Sequence, residues 1–322
     1  MKITRFLSYV IAAGLIGMAP AHASYPDQPV RILVGFAAGG PADITARLAA
    51  KVLSEKLGGQ FVVVNRAGAG GGIATSHVVS AEPDGYTLLL AAFADVLNPI
   101  MTPDLPYRLS RDFSPITRIT GVGNVLVVHP SLPVNNVGEL VAYAKAHPDD
   151  LNYGSAGIGS ASHLAGELFG ALADVKTTHV PFRGTAQAQV AVQQGSVQFM
   201  FDSLISALPN YQAKKVNALA VTTADRSPGA PELPSVKEQG YPDYDLTSWF
   251  GLVAPAGTPD AIVNKLADAL REGLQSEEAR QALLTLGGLP DDMSPTEFDA
   301  YIRSEEGRWG RLFESGLINI RD

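Results

Sequence analysis

Apolar residues recur along the chain in two alternating patterns. Short runs typical of buried strands are followed by segments whose apolar residues return every three or four positions, as on one face of a helix. The first set predicts strands over residues 30–36, 60–65 and 86–92, with helices over 42–58 and 73–82 between them. This βαβαβ order predicts a parallel sheet with helices on its faces.

The same alternation starts again after residue 122 and ends in a mainly helical tail. The predicted strands cover residues 123–130, 151–156, 178–182, 197–202, 216–223 and 248–257, and the helices cover 137–148, 161–173, 185–195 and 204–215. Two long helical patterns follow, the first of them interrupted near Gln275. Because such a tail must pack on an earlier unit, we predict two α/β domains, 24–122 together with 250–322, and 123–249.

The first 23 residues have the pattern of a secretory signal peptide. Lys2 and Arg5 precede a short apolar run, and residues 21–23 form an A-x-A cleavage signal. A membrane anchor is the alternative, but the run is shorter than the ~20 residues that span a bilayer. The pattern therefore predicts export to the bacterial periplasm.

Composition narrows the possible functions. The chain has 24 basic and 32 acidic residues, a net charge of −8, and this becomes −10 when Lys2 and Arg5 leave with the signal peptide. Such an acidic protein is a poor candidate for binding nucleic acid. It has no cysteine, which excludes disulfides and thiolate chemistry. Because no histidine spacing fits a metal site, we expect neither metal nor cofactor.

Four predicted strand-to-helix junctions are rich in Gly, Ser and Thr. They lie at residues 36–43, 65–73, 154–162 and 182–187. Backbone N–H groups at a helix N-terminus lack intrahelical partners and favour an anion, and such junctions are where open α/β sheets bind ligands. No phosphate-binding motif is complete, so we predict a carboxylate ligand. A single loop of this kind would carry little weight, because such residues are common at any turn.

Several polar side chains beside these loops are candidates for ligand contact. His163 lies near Ser160 in the first turn of a predicted helix, where it could contact a ligand or simply pack. Asp43 suits the first turn of its helix, and a bond to the loop or to the ligand stays open. Asp202 ends a predicted strand and could bind an amino or hydroxyl group or cap the next helix. A secreted serine hydrolase using Ser155 or Ser160 with His163 is a rival function, which would also need an orienting acid.

Motifs along nearly the whole chain resemble a known family. Among them are YPDQPVRILVGFAAGGPADITAR, VVNRAGAGGGIA, EPDGYTLLL, LNYGSAGIGSASHLAGELF, HVPFRGTAQAQ, FMFDSLISALP and TSWFGLVAPAGTP. The chain resembles the solute-binding receptors of tripartite tricarboxylate transporters, often called Bug-type proteins. The resemblance implies an α/β protein of the type II periplasmic binding class, with two domains, a two-strand hinge and a ligand cleft between the domains.

The resemblance also implies function. It predicts a receptor that binds a small carboxylate or amino-acid-like metabolite and delivers it to membrane transporter subunits, and we expect a monomer. A sensory co-receptor for a two-component system would share this binding chemistry. The predicted ligand-binding residues are Phe36, Ala37, Ala38, Gly39, Gly40, Asp43, Phe93, Asp95, Ser155, Ala156, Gly157, Ser160, His163, Gly184, Thr185 and Asp202.

Asp95 marks a departure from the family. It stands in AAFADVLNP, near a position where family members often have histidine. Because it follows the third predicted strand, we expect Asp95 to face the cleft and to oppose a second ligand carboxylate. The alternative is that it caps the following turn and points to water.

Overall fold

The structure, which is a computed structural model, describes residues 25–148, 150–182 and 184–318. The predicted signal peptide, residues 1–23, lies outside them. Within the described part of the chain, no helix combines the length and the apolar character that crossing a membrane requires.

Three parallel strands begin the fold. β1 (Val30–Val34) lies between β2 (Phe61–Asn65) and β3 (Thr87–Ala92), and α1 (Pro41–Leu57) and α2 (Gly72–Val79) make the connections. Every residue of β3 is buried, as expected for a strand covered on both faces. This is the βαβαβ unit that the hydrophobic pattern predicts.

Two long antiparallel strands connect the halves of the molecule. β4 (Phe113–Val128) pairs over residues 113–123 with the strand that we number β9 (Thr247–Pro255), and β9 also pairs with β3. From Asn124 onward, β4 pairs with strands of the second half instead. This change of partner lies beside the predicted boundary between residues 122 and 123, and the division into domains stays a prediction.

The second half repeats the alternation of strands and helices. β5 (Asn152–Ser155) lies between β6 (Thr178–Pro181) and β7 (Phe199–Ser203), which pairs with β4, and β8 (Asn217–Val221) also pairs with β4. The helices between β3 and β9 are α3 (Phe93–Met101), α4 (Leu109–Asp112), α5 (Val137–Ala146), α6 (Ala161–Ala173), α7 (Thr185–Gln193) and α8 (Leu204–Gln212).

The helical tail packs on the first half of the molecule. α9 (Asp260–Leu274) contacts α1 and β4, α10 (Glu277–Thr285) contacts α1 and α9, and α11 (Pro295–Glu314) contacts β4 and α3. The predicted interruption near Gln275 is confirmed, since Ser276 caps α10.

Two elements differ from the sequence prediction. The first is α3, a helix that the hydrophobic pattern does not predict. It begins without a capping side chain at Ala92 and contains Pro99, and both features weaken a helical signal. The first half of β4, residues 113–122, is extended although the hydrophobic pattern does not predict it. Pro115 and two register shifts interrupt its pairing with β9, and proline within a strand is unusual.

Candidate functional site

A cleft of about 890 Å³ opens between the two halves of the molecule, within the range of about 300–1,000 Å³ typical of small-molecule sites. The end of β1, the ends of β3 and β9, and the junctions before α6 and α7 form its walls. The lining residues are Phe36, Ala37, Ala38, Gly39, Gly40, Pro41, Ala42, Gly70, Ala92, Phe93, Ala94, Ile158, Gly159, Ser160, Ala161, Gly184, Thr185, Ser248, Trp249 and Phe250.

Four helices present their N-terminal ends to this cleft. The first residues or capping residues of α1, α3, α6 and α7 belong to its lining. Free N–H groups and the helix dipole favour an anion at such ends. Among the described lining residues none carries a charged side chain. These helix ends suit the cleft to an anion held by backbone N–H groups.

The structure brings part of the predicted ligand-binding set together at the cleft. The predicted residues that line it are Phe36, Ala37, Ala38, Gly39, Gly40, Phe93, Ser160, Gly184 and Thr185. The predicted residues that lie outside the lining are Asp43, Asp95, Ser155, Ala156, Gly157, His163 and Asp202. Hydrogen bonds within the protein explain most of the second group.

Asp43 holds the first loop in place. Its carboxylate accepts hydrogen bonds from the Gly39 N–H, from Asn65 Nδ2 and from Arg47 Nε, each at 2.9 Å. Asn65 also donates to the Phe36 carbonyl at 3.1 Å. The Arg47 guanidinium holds the pKa of Asp43 down at about 2. Asp43 is therefore a positioning residue, ionised and paired, that fixes the shape of the loop.

Asp95 lies behind the cleft wall. It is 1% exposed, and its carboxylate accepts hydrogen bonds from Thr75 Oγ1 at 2.5 Å and from the Ala92 N–H at 2.8 Å. Burial raises the pKa of Asp95 to about 6. The expectation that this side chain faces the cleft is corrected accordingly, because one oxygen is bonded to Thr75 of α2 and the other to Ala92 at the start of α3. The alternative is right that Asp95 caps α3, but the side chain is buried and does not point to water.

The loop before α6 satisfies many of its own N–H groups. The Gly157 N–H donates to Ser155 Oγ at 3.1 Å, and the Ala156 N–H donates to Ser162 Oγ at 2.9 Å. Ser155 is fully buried. These three predicted residues, at positions 155–157, therefore shape the loop, and the N-terminus of α6 is what reaches the cleft.

His163 is buried beneath that loop and forms a pair with the partly buried His179. Its Nδ1 accepts a hydrogen bond from the Gly159 N–H at 3.1 Å, and its ring stacks on His179 with 3.8 Å between centroids. Burial, aided by His179, lowers the pKa of His163 to about 4. Ser155 Oγ is hydrogen-bonded to His179 Nε2 at 2.6 Å and not to His163. The Ser155 hydroxyl is thus enclosed and has a different histidine partner, while the Ser160 hydroxyl, which lies at the cleft, donates to the Gly157 carbonyl at 2.6 Å.

Asp202 also serves the protein interior. Gln189 Nε2 donates to its carboxylate at 2.6 Å and Ser206 Oγ at 2.5 Å. Burial raises the pKa of Asp202. The side chain joins α7 to the start of α8 and lies outside the cleft lining, which favours the capping role over a ligand contact.

The strand β9 supplies a wall that sequence reasoning did not single out. Ser248, Trp249 and Phe250 line the cleft where β9 passes between the two halves. Trp249 Nε1 is a buried donor without a partner among the described residues. The predicted domain boundary between residues 249 and 250 is a usable signal, because a segment that joins two domains must pass the cleft between them.

Metal binding has no support in the described residues, where no three His, Asp or Glu side chains are arranged to hold an ion.

Comparison with known proteins gives consistent matches. The model of the tripartite tricarboxylate transporter family receptor, TctC, matches residues 45–317. Protein BugT of Bordetella pertussis is 33% identical over 323 residues, which cover 98% of this chain and 99% of BugT. An R. palustris structure with adipate is 36% identical with a TM-score of 0.79, covering 91% of this chain and 99% of that one. The periplasmic binding protein BugD is 34% identical with a TM-score of 0.77, covering 91% and 99%.

These similarities confirm the predicted fold class, an α/β protein of the periplasmic binding type. They also decide between receptor and hydrolase, because the matched family and the structural neighbours are solute-binding receptors and not enzymes.

Proposed function

The chain belongs to the family of tripartite tricarboxylate transporter receptors, and on that premise we propose that it binds a small carboxylate in the cleft and delivers it to membrane transporter subunits. It is a solute-binding receptor and not an enzyme. In this proposal the mature protein is a periplasmic monomer whose two domains, 24–122 with 250–322 and 123–249, close over the ligand.

The observation that carries the proposal is the convergence of helix N-termini on a cleft whose described lining residues carry no charged side chain. Gly39 and Gly40 precede α1, Ser160 caps α6 and Gly184 caps α7, and all four line the cleft. Each of these ends offers backbone N–H groups to an anion. The adipate in the R. palustris neighbour supports a carboxylate as that anion.

Ligand binding is tested with purified protein and matched pairs of acids and primary amides. A carboxylate that binds the native state should stabilise the protein and so raise its melting temperature. At a free ligand concentration of a hundred times Kd, the free energy of unfolding should rise by about 2.7 kcal/mol. The amide of the same carbon skeleton should give no shift, because it lacks the charge that the helix ends favour. Equal shifts from acid and amide would contradict the proposed carboxylate site.

Delivery needs a separate experiment in cells. Deleting the gene should abolish uptake of the ligand identified above, and the intact gene should restore it. Normal uptake, together with loss of a transcriptional response to the ligand, would favour the sensory co-receptor instead.

A further inference from the structure

The helix ends around the cleft carry unequal charge. α6 and α7 have no acidic residue in their first turns. In the first turn of α1, the Asp43 carboxylate is paired with Arg47 at 2.9 Å. In the first turn of α3, Asp95 pairs with no basic side chain among the described residues, and its bonds come only from Thr75 and Ala92. An anion is therefore favoured at α1, α6 and α7 and opposed at α3.

Asp95 lies close enough to the cleft to act through its wall. A Cβ built on Gly71 would be 3.2 Å from Asp95 Oδ1 and 3.5 Å from Phe36 Cζ. Only the width of this glycine therefore separates the carboxylate from a ring that lines the cleft. Asp95 is fully buried, so water screens its charge poorly on this side.

The wall in front of Asp95 is apolar. Phe36 and Phe250 line the cleft on the side of the first sheet, together with Ala92 and with Phe93, whose own ring is 4% exposed and packs on Trp309. Across the cleft Ile158 is 59% exposed and offers a further apolar surface. Such surfaces gain most from covering an apolar group.

We propose that this receptor selects monocarboxylates with an apolar body over dicarboxylates. The carboxylate binds at the N-termini of α1, α6 and α7, and the body lies against Phe36 and Phe250. The inference rests on the proposed carboxylate receptor function and adds the class of ligand. It distinguishes this chain from the R. palustris neighbour solved with adipate.

Three six-carbon ligands test the proposal by isothermal titration at pH 7.5. Hexanoate has an apolar end, adipate has a second carboxylate, and adipate monoamide has a polar but uncharged end. We expect affinity to fall in the order hexanoate, monoamide, adipate. The difference between hexanoate and adipate should be on the order of tenfold or more, because the second carboxylate meets both desolvation and the Asp95 charge.

An exchange at Asp95 separates charge from polarity. Asp95→Asn should improve adipate relative to hexanoate at least threefold and leave the ratio of hexanoate to monoamide unchanged. The matched control is Asp84→Asn, which removes the same charge from an exposed residue just before the start of β3. The six residues of β3 lie between Asp84 and Asp95 and span about 20 Å. The control should leave all three affinities unchanged.

The outcomes distinguish this inference from the function on which it rests. Adipate binding as tightly as hexanoate to the wild-type protein would overturn the inference and leave the carboxylate receptor intact. A ratio of hexanoate to adipate that Asp95→Asn does not alter would remove Asp95 as the cause and so also overturn it. If no carboxylate of a broad panel binds, the receptor proposal fails and the inference fails with it. Should Asp95→Asn not fold, the order of the three ligands on the wild-type protein still decides.

Discussion

Lowering the pH should destabilise the protein through His163. This imidazole has an ordinary pKa of 6.5 that is lowered to about 4 in the folded protein. The unfolded chain therefore takes up a proton at higher pH than the native state, and stability is lost as the pH falls from 6.5 towards 4. The native Gly159 N–H bond to Nδ1 is the contact at risk, because a protonated ring cannot accept it.

The size of this effect follows from the two pKa values. At pH 5 the His163 contribution amounts to at most about 2 kcal/mol, or about 4 °C in melting temperature. Asp95 acts in the opposite direction, since a pKa raised to about 6 makes its protonation below that pH stabilising. His179 is partly buried, which lowers its pKa, and it acts in the same direction as His163. The pH profile of the wild-type protein alone is therefore not diagnostic.

A comparison of variants isolates the His163 term. His163→Asn places an amide oxygen near the former Nδ1 and does not titrate. Urea unfolding at pH 7.5 and at pH 5 should show that the wild-type protein loses about 1–2 kcal/mol more than this variant between the two pH values. His147→Asn, which exchanges an exposed histidine, is the control and should follow the wild-type protein. Parallel pH profiles for the wild type and His163→Asn would refute the assignment.

Three further predictions concern the loops. Asp43→Ala should lower the free energy of unfolding in urea by about 2 kcal/mol, because the donors around Asp43 lose their acceptor. It should also weaken ligand binding about tenfold in calorimetry, and unchanged affinity would show that the loop needs no such anchor. Gly39→Val should fold, since a Cβ there meets nothing within 4 Å, but should lose binding because a φ of 83° strains a β-branched residue; normal binding would place the site elsewhere. Arg66→Ala should leave affinity within about threefold, because Arg66 contacts His77 outside the cleft; a hundredfold loss would reveal a cation at the site.

Much of the fold could be predicted because its strands and helices have uninterrupted hydrophobic patterns. The first three strands, with α1 and α2 between them, follow from such patterns. The first half of β4 could not be predicted, since its partners are distant in sequence. One edge pairs with β9, and on the other side the Ile119 carbonyl accepts from the Asp291 N–H. Pairings of this kind stabilise a strand whose own residues signal it weakly.

The candidate site was predictable where the backbone forms it. Glycine before a helix indicates a place for an anion whatever its neighbours are, and Gly39, Gly40 and Gly184 do line the cleft. Side-chain roles were harder to predict, because a polar residue beside a loop can face either way. Ser155 and His163 illustrate this, since both turn inward, and His179, which contacts both, lies on another strand.

Asp43 and Asp95 occupy equivalent positions in their helices but have different neighbours. Each is the third residue after a capping residue, in α1 and α3, and each accepts a backbone N–H bond from the start of its own helix. Four positions later the sequence differs, with Arg47 after Asp43 and Pro99 after Asp95. Residues four apart are neighbours on a helix, so Arg47 can pair with its aspartate and Pro99 cannot. The Arg47 hydrogen bond lowers the pKa of Asp43 to about 2, whereas burial raises the pKa of Asp95 to about 6. In the proposed selectivity, the choice among carboxylates therefore depends on Asp95, which does not line the cleft. Its charge stays unpaired on its own helix because Pro99, four positions later, cannot neutralise it.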